Sequence, residues 1–93
     1  MTTAKVPMRF MVVERFRDAA AVYERFAARG RMLPEGVRYI DSWVAADGSR
    51  CYQLMECAQE ADLRPWLDAW GDLVDFEVVE VTDSATAAAR FGS

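Results

Sequence analysis

The chain is 93 residues long, 53% hydrophobic and 28% charged, with a formal charge of −4. That length makes one domain, and such a domain buries roughly 60–65% of its unfolded surface around one modest core. An acidic chain with no basic run longer than two residues is a poor partner for nucleic acid or an anionic membrane. It also has no histidine, which removes serine–histidine and cysteine–histidine nucleophile pairs and the commonest zinc and haem ligand.

In chain order, residues 1–7 read as a loose leader ending at Pro7. Met1-Thr2-Thr3-Ala4-Lys5 lacks the apolar stretch of a signal peptide, and no apolar run approaches the roughly 20 residues of a membrane span, so the expected location is the cytoplasm. Met8 to Phe16 is a strand with apolar residues on both sides, Phe10 and Val12 on one and Met11 and Val13 on the other. Asp18 is the expected N-cap of an alanine-rich helix through Arg29, with Ala19, Val22 and Phe26 on one face and Gly30 as the stop.

Pro34 to Cys57 reads as a β-hairpin, two runs of β-branched and aromatic residues joined by a segment carrying Asp47-Gly48. With Asp47 and Gly48 as the central pair of a tight turn, Val44 lies opposite Cys51, Trp43 opposite Tyr52, Asp41 opposite Leu54 and Tyr39 opposite Glu56. Opposed residues share a face. One face then carries Val37, Tyr39, Asp41, Trp43, Tyr52, Leu54 and Glu56, and the other Ile40, Ser42, Val44, Cys51, Gln53, Met55 and Cys57. Cys51 and Cys57 sit too far apart along one strand to bridge and read as buried thiols in a reducing compartment.

Leu63, Trp66, Leu67 and Trp70 form an amphipathic stripe at i, i+3, i+4 and i+7. Pro65 is tolerable only in a first turn, which starts this helix near Asp62 as N-cap and ends it at Gly71. Leu73 to Val81 is the last strand, and Asp83 or Ser84 caps a short C-terminal helix that frays beyond Arg90. The order strand–helix–strand–strand–helix–strand predicts an α+β, ferredoxin-like four-stranded antiparallel sheet with both helices on one face. The uncovered face is apolar whichever side it is, so a homodimer packed sheet to sheet is expected.

RGRMLPEGVRYIDSWV, CYQLMEC and DLVDFEVV resemble a bacterial family of uncharacterised domains, domain-of-unknown-function family 3303, and the likeness runs from about Arg9 to Arg90. More widely, the chain is similar to the dimeric α+β barrel proteins. That resemblance implies paired sheets and, in many members, a ligand pocket between sheet and helices. Cofactor-independent monooxygenases, polyketide cyclases and muconolactone isomerases belong to that superfamily, whereas members that use histidine are poor guides to this chain.

Chemistry has to come from carboxylates, tyrosines and arginines. Tyr39, Asp41 and Glu56 on one apolar face are candidates for donor and base, because a desolvated carboxylate titrates nearer neutrality; the plainer reading makes them ion-paired or interface residues. Trp43 and Tyr52 share that face as candidate ligand contacts. Ser42 and Gln53 either hydrogen-bond each other or hold a ligand carbonyl. Arg25, Arg29 and Arg31 either serve the helix dipole or clamp an acid, with Arg31 taken into the candidate site. Trp66 is a core residue or an aromatic wall. Glu14 shares the Phe10 side and either reaches water or points into a pocket. No phosphate loop, Cys-x-x-Cys pair or nucleophile elbow is present, so no cofactor is implied. These residues support three functions: a dimer binding a small aromatic or apolar acidic molecule, a cofactor-independent oxygenase or isomerase/cyclase, and a structural or interaction dimer.

Overall fold

The computed structural model describes residues 7–92, so the expected leader lies, except for Pro7, outside the described residues. Four strands, β1 (Met8–Phe16), β2 (Arg38–Val44), β3 (Arg50–Cys57) and β4 (Val74–Val81), form one antiparallel sheet in the order β2-β3-β1-β4. Helix α1 (Ala19–Arg29) joins β1 to β2, a 3₁₀ turn (Glu60–Leu63) running into α2 (Arg64–Trp70) joins β3 to β4, and α3 (Ser84–Phe91) ends the chain. This is the ferredoxin-like arrangement. It is two layers deep, with a shortest Cα extent of 17 Å. Among the described residues no helix is long and apolar enough to cross a membrane.

The local signals act where the physics places them. Asp18 accepts from the Ala21 N–H at 3.1 Å, and the Gly30 N–H, at a positive φ of 66° that favours glycine, donates to the Phe26 carbonyl at 2.7 Å. Asp83 rather than Ser84 caps α3 through the Thr86 N–H. Asp62 is not the cap of α2. It belongs to the preceding 3₁₀ turn, where its carboxylate accepts from the Gln59 N–H in a capping box, and Pro65 falls in the first turn of α2.

The hairpin keeps the expected pairs from Val44–Cys51 to Asp41–Leu54, but by another turn. The Gly48 N–H donates to Ala45, so Ala46 and Asp47 are the central residues and Gly48 follows at φ 77°; the Asp47 carboxylate accepts from the Ser49 N–H and hydroxyl. A β-bulge at Ile40 then shifts the register by one. Tyr39 pairs with Met55 and Arg38 with Glu56. Tyr39 therefore leaves the face predicted for it, while Asp41 stays there opposite Leu54.

Phe10, Val12, Met55, Leu63, Trp66, Trp70 and Val74 form the core between the sheet and α1 and α2, with Val22 as the buried residue of α1. At roughly 25 cal/mol per Å² of apolar area this cluster is the main favourable term of folding. The opposite face carries Trp43, Tyr52 and Val13 in one row and Leu54, Met11 and Val79 in the next. Trp43 and Val79 are 52% and 43% exposed. Beyond them Glu56 takes ion pairs from Arg9 at 3.2 Å and Arg38 at 2.9 Å.

Candidate functional site

Between the sheet and α1, toward the β2 edge, the core leaves a cavity of about 180 Å³. Phe16, Val22, Tyr23, Phe26, Trp66 and Trp70 form its apolar walls, and Glu14, Arg31, Ser42, Cys51 and Gln53 its polar floor. Tyr23 and Phe26 are about half exposed and mark the mouth. Phe16 and Tyr23 meet edge to face, ring centroids 5.9 Å apart, which stiffens one wall. An engineered apolar cavity of about 150 Å³ holds one benzene ring, which sets the scale here.

The floor is a relay of hydrogen bonds on the helix-facing side of the sheet. Arg31 Nε donates to Gln53 Oε1 at 3.3 Å, and Gln53 Nε2 donates to Glu14 Oε2 at 2.7 Å. Beside it, the Tyr39 hydroxyl and Ser42 Oγ share a 2.6 Å bond, the bulge at Ile40 having turned Tyr39 toward this side. The Arg31 guanidinium stacks 3.7 Å above the Tyr39 ring and lies 5.2 Å from that of Phe26.

Arg31 is fixed from behind as well. Trp66 Nε1 and Trp70 Nε1 both donate to its backbone carbonyl at 3.0 Å. It lies between Gly30 at φ 66° and Met32 at φ 56°, so the chain makes a sharp exit from α1 that those two indoles pin in place. Among the described residues, Arg31 is a half-buried arginine with no carboxylate within ion-pair distance, whereas Arg9, Arg17, Arg25, Arg38 and Arg64 each have one. Its Nε is used by Gln53, and among the described residues no hydrogen bond engages its two Nη groups, while the residue itself lines the cavity.

Glu14 is 6% exposed. Burial raises its carboxyl above the usual glutamate value of 4.5, although the hydrogen bonds from Gln53 and Cys51 and the charge of Arg31 pull the other way. The neighbouring Cys51 thiol is pushed up to about 12, first by burial and then by Glu14, so it is protonated and unreactive at neutral pH. Cys57 is raised too, chiefly by burial. Both cysteines are free.

Of the residues singled out from the sequence, Arg31, Ser42, Gln53 and Trp66 meet in this cavity, and Tyr39 adjoins it through Ser42 and Arg31. Ser42 and Gln53 do pair across the strands, but their side chains bond to Tyr39 and Glu14 rather than to each other. Asp41, Glu56, Trp43 and Tyr52 lie on the opposite face of the sheet. The expected grouping of Tyr39, Asp41 and Glu56 therefore does not form. The bulge separates Tyr39 from the carboxylates, and Glu56 is taken by Arg9 and Arg38. Arg25 and Arg29 do not join Arg31 at this cavity. Arg25 turns away to Asp72, 2.7 Å from it, and to the Ala69 carbonyl, and this pairing draws the Asp72 carboxyl down to about 2.

Glu14, which from the sequence could reach water or a pocket, faces the cavity from the Phe10–Val12 side of β1. What marks it is an acid continuing the buried alternation of a strand with no cation in register beside it.

The fold and cavity define a ferredoxin-like α+β protein with a polar-floored pocket between sheet and helices. Residues 8–92 match the model of a domain of unknown function, DUF3303, and the chain belongs to that family. Neither the curated proteins nor the solved structures provide a match.

Proposed function

We propose that this protein is a homodimer that binds, in each subunit, a small single-ring or compact apolar acid in the cavity above Glu14 and Gln53. The observation that carries this reading is Arg31, a half-buried cation without an acid partner, held by two indoles at the edge of an apolar cavity. A half-buried cation is better matched once an anion completes it, and two free Nη groups suit a carboxylate, which accepts both. The aromatic walls supply the apolar contact. At about 180 Å³ the space lies below the usual range of roughly 300–1,000 Å³ for ligand pockets, which favours ligands of one ring.

The dimer rests on the other face. Trp43, Tyr52, Leu54, Met11, Val13 and Val79 form an apolar band across all four strands, on the side away from the core packed under α1 and α2, and among the described residues Trp43 and Val79 stay about half exposed on it. A second copy packed on this band would remove it from water and close the two sheets on each other. The oxygenase, isomerase or cyclase alternative no longer has Tyr39, Asp41 and Glu56 as a set, so catalysis in this chain would have to start from Glu14.

Native mass spectrometry of the gently purified protein tests both halves. The expected species is twice the chain mass with a small acidic adduct, and the adduct is lost in Arg31→Met. Leu54→Asp, which brings like charges together across the two-fold, raises the dimer dissociation constant by about 100-fold or more. A wild-type monomer at micromolar concentration overturns the dimer. Arg31→Met that binds single-ring acids as wild type does overturns the anion site.

A further inference from the structure

The carboxyl of Glu14 has no structural need to be where it is. A glutamine or a leucine on that position of β1 would fill the same space without a buried ionisable group, and among the described residues no cation lies within ion-pair distance of it. Gln53 and the Cys51 thiol occupy two of the roughly four acceptor positions of a carboxylate, and the group forms part of the cavity floor. Arg31 stands one amide width away, at the other end of the Gln53 side chain. That span of one amide and two hydrogen bonds matches a ligand whose carboxylate and reactive carbon are separated by one carbonyl.

We propose that the cavity is a proton-transfer site, with Glu14 as the acid–base and Arg31 as the carboxylate anchor, and that its substrate class is the enolisable aromatic 2-oxo acids. The proposal rests on the binding reading above and adds a reaction to it. With the substrate carboxylate on Arg31, the Glu14 carboxylate takes a proton from the carbon next to the ketone. The C–H electron pair becomes the new C=C bond and the C=O π pair moves onto oxygen, which Arg31 and the Ser42 hydroxyl stabilise. Protonated Glu14 then gives the proton to that oxygen, leaving the enol; the reverse sequence regenerates the ketone. Nothing is oxidised or reduced. A base raised above the ordinary carboxylate range is better matched to a weak carbon acid, and the apolar walls keep water from competing. The other charged or titratable groups lining the cavity are Arg31 and Cys51 from the floor and Tyr23 from α1.

Phenylpyruvate is the probe, with 3-phenylpropanoate as the same frame lacking the ketone. Binding is measured by calorimetry, ketone–enol interconversion by ultraviolet absorbance, and exchange at the carbon by proton NMR in D₂O. Wild type should bind both acids and accelerate exchange at least about 100-fold over buffer, the lower end for a positioned acid–base. Glu14→Gln should lose that factor in kcat with little change in KM, and Arg31→Met should lose it through KM. Melting curves check that both variants fold. Binding of phenylpyruvate without acceleration, or acceleration that survives Glu14→Gln, overturns the proton-transfer role and leaves the binding site intact. Binding of 3-phenylpropanoate but not phenylpyruvate overturns the substrate class. Binding of neither overturns the underlying reading of the pocket.

Discussion

Glu14 and Glu56 are both glutamates on strands of the same sheet, both shielded from water, and the two faces treat them in opposite ways. Glu56, on the uncovered face, sits between Arg9 and Arg38 in a row that crosses three strands, so its charge is matched on both sides. Glu14, under α1, receives neutral donors and a cation only through Gln53. A paired carboxylate is part of the surface; an unmatched one beside a cavity is available for chemistry. Glu14 is buried and Glu56 partly so, and the partner decides between the two outcomes.

The largest expected break in this contrast comes from behind the pocket. Trp66 is 1% exposed and donates to the Arg31 carbonyl. Trp66→Ala should cost about 3–5 kcal/mol in chemical denaturation, in line with large-to-small core changes. Trp66→Phe should keep most of that stability and lose ligand affinity, because it frees the Arg31 carbonyl from one of its two donors.

The two glutamates themselves should respond with opposite signs. The folded-state value of Glu14 is raised, so its contribution to stability is fully present below the unfolded value near 4.5 and is lost as pH rises through the folded value. Glu14→Gln should therefore match wild type near pH 4 and become the more stable protein at neutral pH. The gain is about 1.4 kcal/mol for each pH unit by which the folded value exceeds the unfolded one. Melting temperature against pH for both proteins reads this directly, and parallel curves would count against a buried, unmatched Glu14. Glu56→Gln should instead destabilise at neutral pH, by about 0.2–1 kcal/mol, since its arginine partners are largely solvent-exposed.

Tyr39 tests what the bulge contributes. Tyr39→Phe removes the 2.6 Å bond to Ser42 and should cost about 0.5–1.5 kcal/mol in denaturation while leaving the stacking surface under Arg31.

Much of the fold was legible in the chain because its signals are local. Alternation in Met8–Phe16, the Asp18 and Gly30 caps, the Trp66–Trp70 stripe and the position of Pro65 each act within a few residues, and the order of elements leaves one right-handed antiparallel arrangement. The hairpin register was legible as far as Asp41, because cross-strand pairing counts outward from the turn. The site was legible in part: Arg31, Ser42, Gln53 and Trp66 were singled out by residue type and place.

Tertiary structure decided the rest. One extra residue at Ile40 reverses the side on which Tyr39 stands, and no local rule sets whether a strand absorbs such a residue. Which glutamate goes unmatched depends on strands brought together from 39 or more positions apart, Arg9 to Glu56 and Gln53 to Glu14. The sequence by itself determined the elements and the two-sided apolar sheet, since both follow from periodicity and short-range sterics. The folded chain alone determined that one acid is neutralised and the other is left facing a cavity, since charge pairing is a matter of distance in space.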